Sequence, residues 1–194
     1  MEPISFLARN AILGDGNLWK HPECVNFKAI WTSTTPELLE VKRSIAPELF
    51  QTGVRPATVG KGRFANAKPL YRLASVVHPV FTVYKKKTKI EVLEELSLED
   101  LGLWYLDDGC CVKRKDGGSY RFSLSVGDCA ATEKSQRTLE RVLLQLVGEN
   151  FGRVYKNNSR ATERNKSWIM TKGAAQQVLV HAKAWGVLPH KFPR

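Results

Sequence analysis

Two Asp-Gly punctuations divide this 194-residue chain into similar halves, and that repetition restricts its fold more than any other feature. An apolar, helix-compatible stretch at 3–14 closes on ILGDG at 12–16, and a second at 98–107 closes on YLDDG at 105–109. Their final aspartates, Asp15 and Asp108, stand 93 positions apart. Internal periodicity of this kind sets an architecture before any local motif is interpreted.

The segments after the two Asp-Gly pairs are alike. NLWK and VNFKAIWTS in the first half match CCVKRK and SYRFSLSV in the second, and both pairs alternate polar and apolar residues as hairpin strands do. A helix is then predicted in each half: TTPELLEVKRSI from Thr34 and ATEKSQRTLERVLLQL from Ala131, with Thr35 and Thr132 as caps. A third strand-like segment comes next, LYRLASVV or SWIMT, then a helical stretch, then lysine, as KKKTK at 85–89 and as LPHKFPR with Lys191. The first motif helix is expected to start near Pro3, and the second at Ser97, with Asp100 three residues on. The fold class read from this pattern is α+β, two pseudo-symmetric αββαββα halves at 1–90 and 91–194. The halves differ in length mainly at 52–68, rich in Gly, Pro, Lys and Arg, which reads as an exposed loop. No flexible Gly/Ser linker separates them, so they are expected to pack as one body.

Charge narrows the partner. Thirty Lys and Arg against nineteen Asp and Glu leave a net charge of +11, which points to a polyanion. Cys24, Cys110, Cys111 and Cys129 form no CxxC pair, so neither a zinc site nor a disulfide framework is indicated. His21, His78, His181 and His190 have no metal-binding spacing, which disfavours a histidine-based nuclease. With no apolar signal core and no apolar run long enough to span a bilayer, the protein is expected to be soluble and intracellular.

If the halves pair through their leading helices, Asp15 and Asp108 meet at one end of the helix pair. Hard divalent cations, Mg2+ or Mn2+, prefer such carboxylate oxygens and complete their shells with water and substrate phosphate. Two such sites stabilise the attacking and leaving oxygens of phosphodiester hydrolysis. The competing reading of one Asp-Gly is a helix-ending turn, but two copies in register favour the metal. Lysines at the end of each half supply a cation near the phosphate: Lys191 in the second half, and in the first one of Lys85, Lys86, Lys87 and Lys89, with Lys87 or Lys89 favoured as nearest to Ile90. Alternation along the strands places basic side chains on one face of a ribbon that fits the DNA major groove. Lys20, Lys28, Arg72, Lys113, Arg121, Arg153 and Lys156 are the candidate DNA contacts, without a division between bases and phosphates. Trp19, Trp31 and Trp168 read as packing residues.

NAILGDG and LGLWYLDDG resemble the two signature motifs of single-chain LAGLIDADG homing endonucleases, in the branch whose second motif ends Asp-Asp-Gly. The resemblance runs to the terminal LPHKFP. It implies a saddle with the two motif helices packed at its centre and metal held by Asp15 and Asp108, with help from the carbonyls of Gly14 and Asp107. It further implies a monomer that grips a long asymmetric duplex site and leaves short 3′ overhangs. Asn10 and Leu103 depart from the signature's interface glycine, and the usual proline before the second motif helix is missing. Two alternatives use the same fold: an intron RNA-binding maturase and a catalytically silent DNA-binding regulator. Retention of both aspartates speaks against the regulator.

Overall fold

Pro3 stands in the first turn of helix α1 (Pro3–Leu13), where its missing N–H costs no hydrogen bond and its fixed φ suits the helix. The computed structural model describes residues 2–57, 69–114, 119–156 and 166–193. The stretch 58–68 of the expected loop lies outside the described residues. By the contacts within it, the chain divides into two units, Met1–Lys86 and Lys87–Arg194.

In the first unit α1 runs into strand β1 (Gly16–Trp19), followed by β2 (Lys28–Ser33), helix α2 (Pro36–Ile45), β3 (Arg55–Pro56), β4 (Tyr71–Ala74) and helix α3 (Pro79–Lys86). The strands form one antiparallel sheet in the order β1-β2-β4-β3. Along β2, Ala29 and Trp31 are buried while Lys28, Ile30 and Thr32 keep exposure, so the period-2 pattern gives the sheet a core face and an outward face. Leu38 and Leu39 of α2 are buried beside that core, with Leu73 and Phe81.

The second unit opens with helix α4 (Lys89–Glu94) and then repeats the series. Helix α5 (Leu98–Asp108) leads to β5 (Gly109–Lys113), β6 (Tyr120–Ser125), helix α6 (Glu133–Val147), β7 (Gly152–Lys156), β8 (Lys166–Met170) and helix α7 (Lys172–Ala184). Its sheet order, β5-β6-β8-β7, is that of the first sheet. The expected αββαββα series is thus present in each half. Ser97 and Asp100 form a reciprocal cap at the start of α5, as expected, and Thr132 caps α6 with Ser135. Thr35 precedes α2 but makes no side-chain cap bond, Pro36 opening that helix instead. On α6 the buried residues Leu139, Val142, Leu143 and Val147 fall at helical spacing and make one apolar stripe.

Cross-strand pairs show how close the repeat is. Trp31 faces Gly16 on one side and Leu73 on the other; in the second sheet Leu124 faces Gly109 and Trp168. The large and small partners are exchanged between halves, so the layer keeps its volume. Both indoles are fully buried and bonded, Trp31 Nε1 donating to Asn10 Oδ1 (3.1 Å) and Trp168 Nε1 to the Phe151 carbonyl (2.8 Å). Trp19 differs from the packing role expected of it: it is 40% exposed on the outward face, because it follows buried Leu18 along β1 and so takes the opposite strand phase. Among the described residues no helix is long and apolar enough to cross a membrane.

Candidate functional site

Each leading helix passes into its strand almost without a loop. The Gly14 N–H closes α1 on the Asn10 carbonyl at 2.9 Å, exposed Asp15 comes next, and Gly16 is already strand. A Cβ on Gly16 would stand 2.4 Å from the Ala11 Cα and 2.7 Å from Trp31 Nε1. In the second unit α5 ends on half-buried Asp108 and β5 begins at Gly109, where a Cβ would stand 2.3 Å from Tyr105 Cδ2 and from the Tyr105 carbonyl oxygen. Gly109 has φ −78°, an extended conformation open to any residue, so close approach and not turn geometry demands glycine there. Trp104 Nε1 donates to Asp108 Oδ2 at 3.1 Å, one helical turn back, and restrains that carboxylate.

Lys191 comes to the same place. It closes the single-turn 3-10 helix Pro189–Lys191, and its ammonium donates to the carbonyls of Leu106 (2.6 Å) and Asp107 (2.8 Å), with the Tyr105 carbonyl at 3.5 Å. These are last-turn oxygens of α5 and carry the negative end of the helix dipole; the Tyr105 oxygen also accepts the Gly109 N–H that closes the helix. Asp107, Asp108 and Lys191 are thus gathered at one end of the second unit. Gly14 and Asp15 hold the corresponding end of α1. Lys87 makes an ion pair with Glu95, and Lys89 is the first residue of α4, after the Thr88 cap.

The outward faces carry the other candidates. Strand register makes Lys28 and Arg121 equivalents, since Lys28 lies three residues before Trp31 and Arg121 three before Leu124. Lys28 Nζ lies 4.8 Å from the Trp19 ring centre. In the second sheet the guanidinium carbons of Arg121 and Arg153 lie 5.6 Å and 5.7 Å from the Tyr155 ring centre, and Arg121 also donates to the Tyr155 hydroxyl. Arg72 faces Arg55 directly across β4 and β3, both exposed. Lys113 falls elsewhere: it pairs with Tyr120 and shares the strand phase of Cys111, so it turns to the opposite face at the far end of β5. Lys20 lies just beyond β1, 6.0 Å from the Phe27 ring centre. The Lys156 backbone belongs to β7, and its side chain lies outside the described residues.

Among the described residues no group of three or more His, Cys, Asp or Glu is placed to cage a metal. The donors at the helix ends are carboxylates and main-chain carbonyls, hard oxygens suited to magnesium or manganese and ill suited to soft metals. Such ions commonly take only one or two protein carboxylates and leave their other positions to water and phosphate, and each helix end offers carboxylate oxygen of that type.

No protein-family model matches the chain, and no curated protein matches it in sequence. Solved structures do. The homing endonuclease I-WcaI, solved bound to its DNA recognition sequence, superposes with a TM-score of 0.75 over 97% of this chain and 83% of its own, at 14% identity. I-DmoI, solved in complex with DNA and Mn, gives 0.54 over 91% and 96% at 12% identity. The N-terminal LAGLIDADG domain of DUF199/WhiA gives 0.52 over 97% and 84% at 10% identity. The chain has the LAGLIDADG fold.

Within that LAGLIDADG frame, four site residues escape the sequence reading. Tyr105 and Trp104 sit inside the apolar stretch of the second motif, where the sequence reading singled out neither. Tyr155 and Arg55 lie on short strands whose outward phase shows only once the register is known. The usable signal was an aromatic flanked by Arg153 and Lys156, the stacking-plus-charge pattern of nucleic-acid surfaces. Small-residue packing is present too, although not at Asn10 or Leu103: a Cβ on Gly102 would meet His181 Cβ at 2.8 Å and the Ala182 nitrogen at 2.9 Å, so glycine lets α5 lie close against α7.

Proposed function

We propose that this chain is a sequence-specific homing endonuclease that hydrolyses one phosphodiester bond in each strand of a duplex and leaves short 3′ overhangs. The observation that carries this reading is the carboxylate at each helix-to-strand junction, followed in both units by a glycine that admits no side chain. The fold it shares with two endonucleases solved on DNA supports it further. In this reading the protein acts inside the cell as a monomer, one carboxylate serving each strand, and the halves proposed at 1–90 and 91–194 are two LAGLIDADG repeats.

Asp15 and Asp108 would hold Mg2+ or Mn2+, assisted by the carbonyls of Gly14 and Asp107. When bound, the metal supplies a Lewis acid and a water acidic enough to attack phosphorus near neutral pH. Trp104 keeps Asp108 oriented through its indole N–H. Lys191 contributes fixed positive charge beside Asp108, where the pentacovalent phosphate gains negative charge; Lys87 or Lys89 is proposed for the other half. Lys28, Arg72, Arg121 and Arg153 present cations from the outward sheet faces to the major groove, where Arg and Lys favour the O6 and N7 acceptors of guanine. Lys20, Lys113 and Lys156 are proposed as flanking phosphate contacts.

The test is cleavage of a randomised duplex library by the wild type, Asp15→Asn and Asp108→Asn, in magnesium and in EDTA. Magnesium-dependent double-strand cuts at one sequence, lost in both variants, are expected. Specific retention of duplex without cutting in any metal would replace the enzyme by a DNA-binding regulator.

A further inference from the structure

The C-terminal turn and the last turn of α5 are tied in both directions. Tyr105 Oη donates to the Lys191 carbonyl at 3.0 Å, across 86 positions of sequence, and the Lys191 ammonium returns to the carbonyls of residues 105–107. Resting on the proposed nuclease activity, we propose that Tyr105 is a positioning residue: by anchoring the Lys191 main chain, it sets the ammonium at the end of α5, beside Asp108.

Three observations support this latch. A lysine head rides on a flexible four-carbon stem, and its place is defined only when the main chain beneath it is fixed. That main chain does not fix itself: Leu188, just before the turn, has φ 55° and ψ 55°, a left-handed conformation disfavoured for a branched L-residue and retained only under tertiary restraint. Buried Leu188 supplies one restraint, and the Tyr105 hydroxyl supplies the second. Finally, Tyr105 is itself fixed, fully buried with its ring over Gly109.

The latch also defines how Lys191 acts. An ammonium has three N–H donors, and here three main-chain carbonyls face them. Held by these carbonyls, Lys191 offers the site a placed positive charge.

The experiment uses 15N-lysine spectra and cleavage kinetics on the full chain, with Tyr105→Phe, Lys191→Ala and the double variant; Lys191→Ala also assigns the ammonium signal. In Tyr105→Phe the Lys191 ammonium protons are expected to exchange with water at least about tenfold faster, as a lost hydrogen-bonded position implies. At the preferred duplex site kcat is expected to fall about tenfold with KM unchanged, and Tyr105→Phe is expected to add nothing in the Lys191→Ala background. Unchanged ammonium exchange in Tyr105→Phe, or equal losses of kcat in both backgrounds, would overturn the proposal. A wild type that cuts no duplex sinks the nuclease reading instead, and the exchange rates alone then decide whether Tyr105 sets the lysine.

Discussion

An alanine at position 109 would force a methyl carbon to within 2.3 Å of the Tyr105 ring and carbonyl, both of them held by the core. Neither neighbour is the loose end of a flexible side chain, so Gly109→Ala is expected to destabilise the protein by about 3 kcal/mol, the upper range for overpacking. Gly173, in the first turn of α7, is the control: an added Cβ meets nothing within 4 Å. There the same change is expected to stabilise by about 0.5–1 kcal/mol, through helix propensity and a less flexible unfolded chain. Urea denaturation of the two variants reads both signs, and equal effects would mean that Gly109 is not a close-approach position. The Asp-Gly pairs were legible as punctuation because they recur, but their physical cause was not. A turn and a tight helix-to-strand joint both favour glycine, and only the distances to Ala11, Trp31 and Tyr105 separate them.

Caps and sheet faces belong to the scale of elements. Ser97 accepts from the Asp100 N–H while Asp100 returns to the Ser97 N–H, and Ser97→Ala is expected to cost about 1 kcal/mol in chemical denaturation. Glu91 plays the Asp100 part for α4, and its hydrogen bonds with the Thr88 backbone and side chain, then nearby Lys87, hold its carboxyl below the usual range. A depressed folded pKa gives stability that is present above the unfolded value and lost as pH falls through the folded one. Glu91→Gln is thus expected to reduce the acid sensitivity of unfolding, measured as midpoint against pH. On the first sheet Arg55 and Arg72 oppose each other across adjacent strands, a like-charge pair that costs roughly 0.2–1 kcal/mol without a counter-ion. Arg72→Ala is accordingly expected to leave stability unchanged or raise it while weakening duplex binding; a loss of both would make Arg72 a packing residue. Longer elements were legible from apolar spacing, as in α6, and from caps, as at Ser97. The pair Arg55 and Arg72 was not, since β3 is only two residues long and its partner lies beyond a long insertion.

For the molecule as a whole, a net charge of +11 exceeds what any small set of contacts requires. If the partner is duplex DNA, the logarithm of affinity is expected to fall linearly with the logarithm of salt, by about 0.9 for each phosphate neutralised. A flat salt response in a binding titration would detach the charge from nucleic acid. The two αββαββα series were readable because similar strings recur in the same order, each half enforcing the same helix and strand periods. The string hid the bonds between distant positions: no local pattern links Lys191 to the carbonyls of 105–107, or Tyr155 to Arg121. The direct passage from α5 into β5 has a last consequence. With no slack between Asp108 and Gly109, one inserted residue would invert strand β5, exchanging its core side chains for its solvent-facing ones. Length changes are therefore confined to the far strand ends and the loops beyond them. A protein built this way changes its contacts by repainting a surface, while the frame beneath it stays as it is.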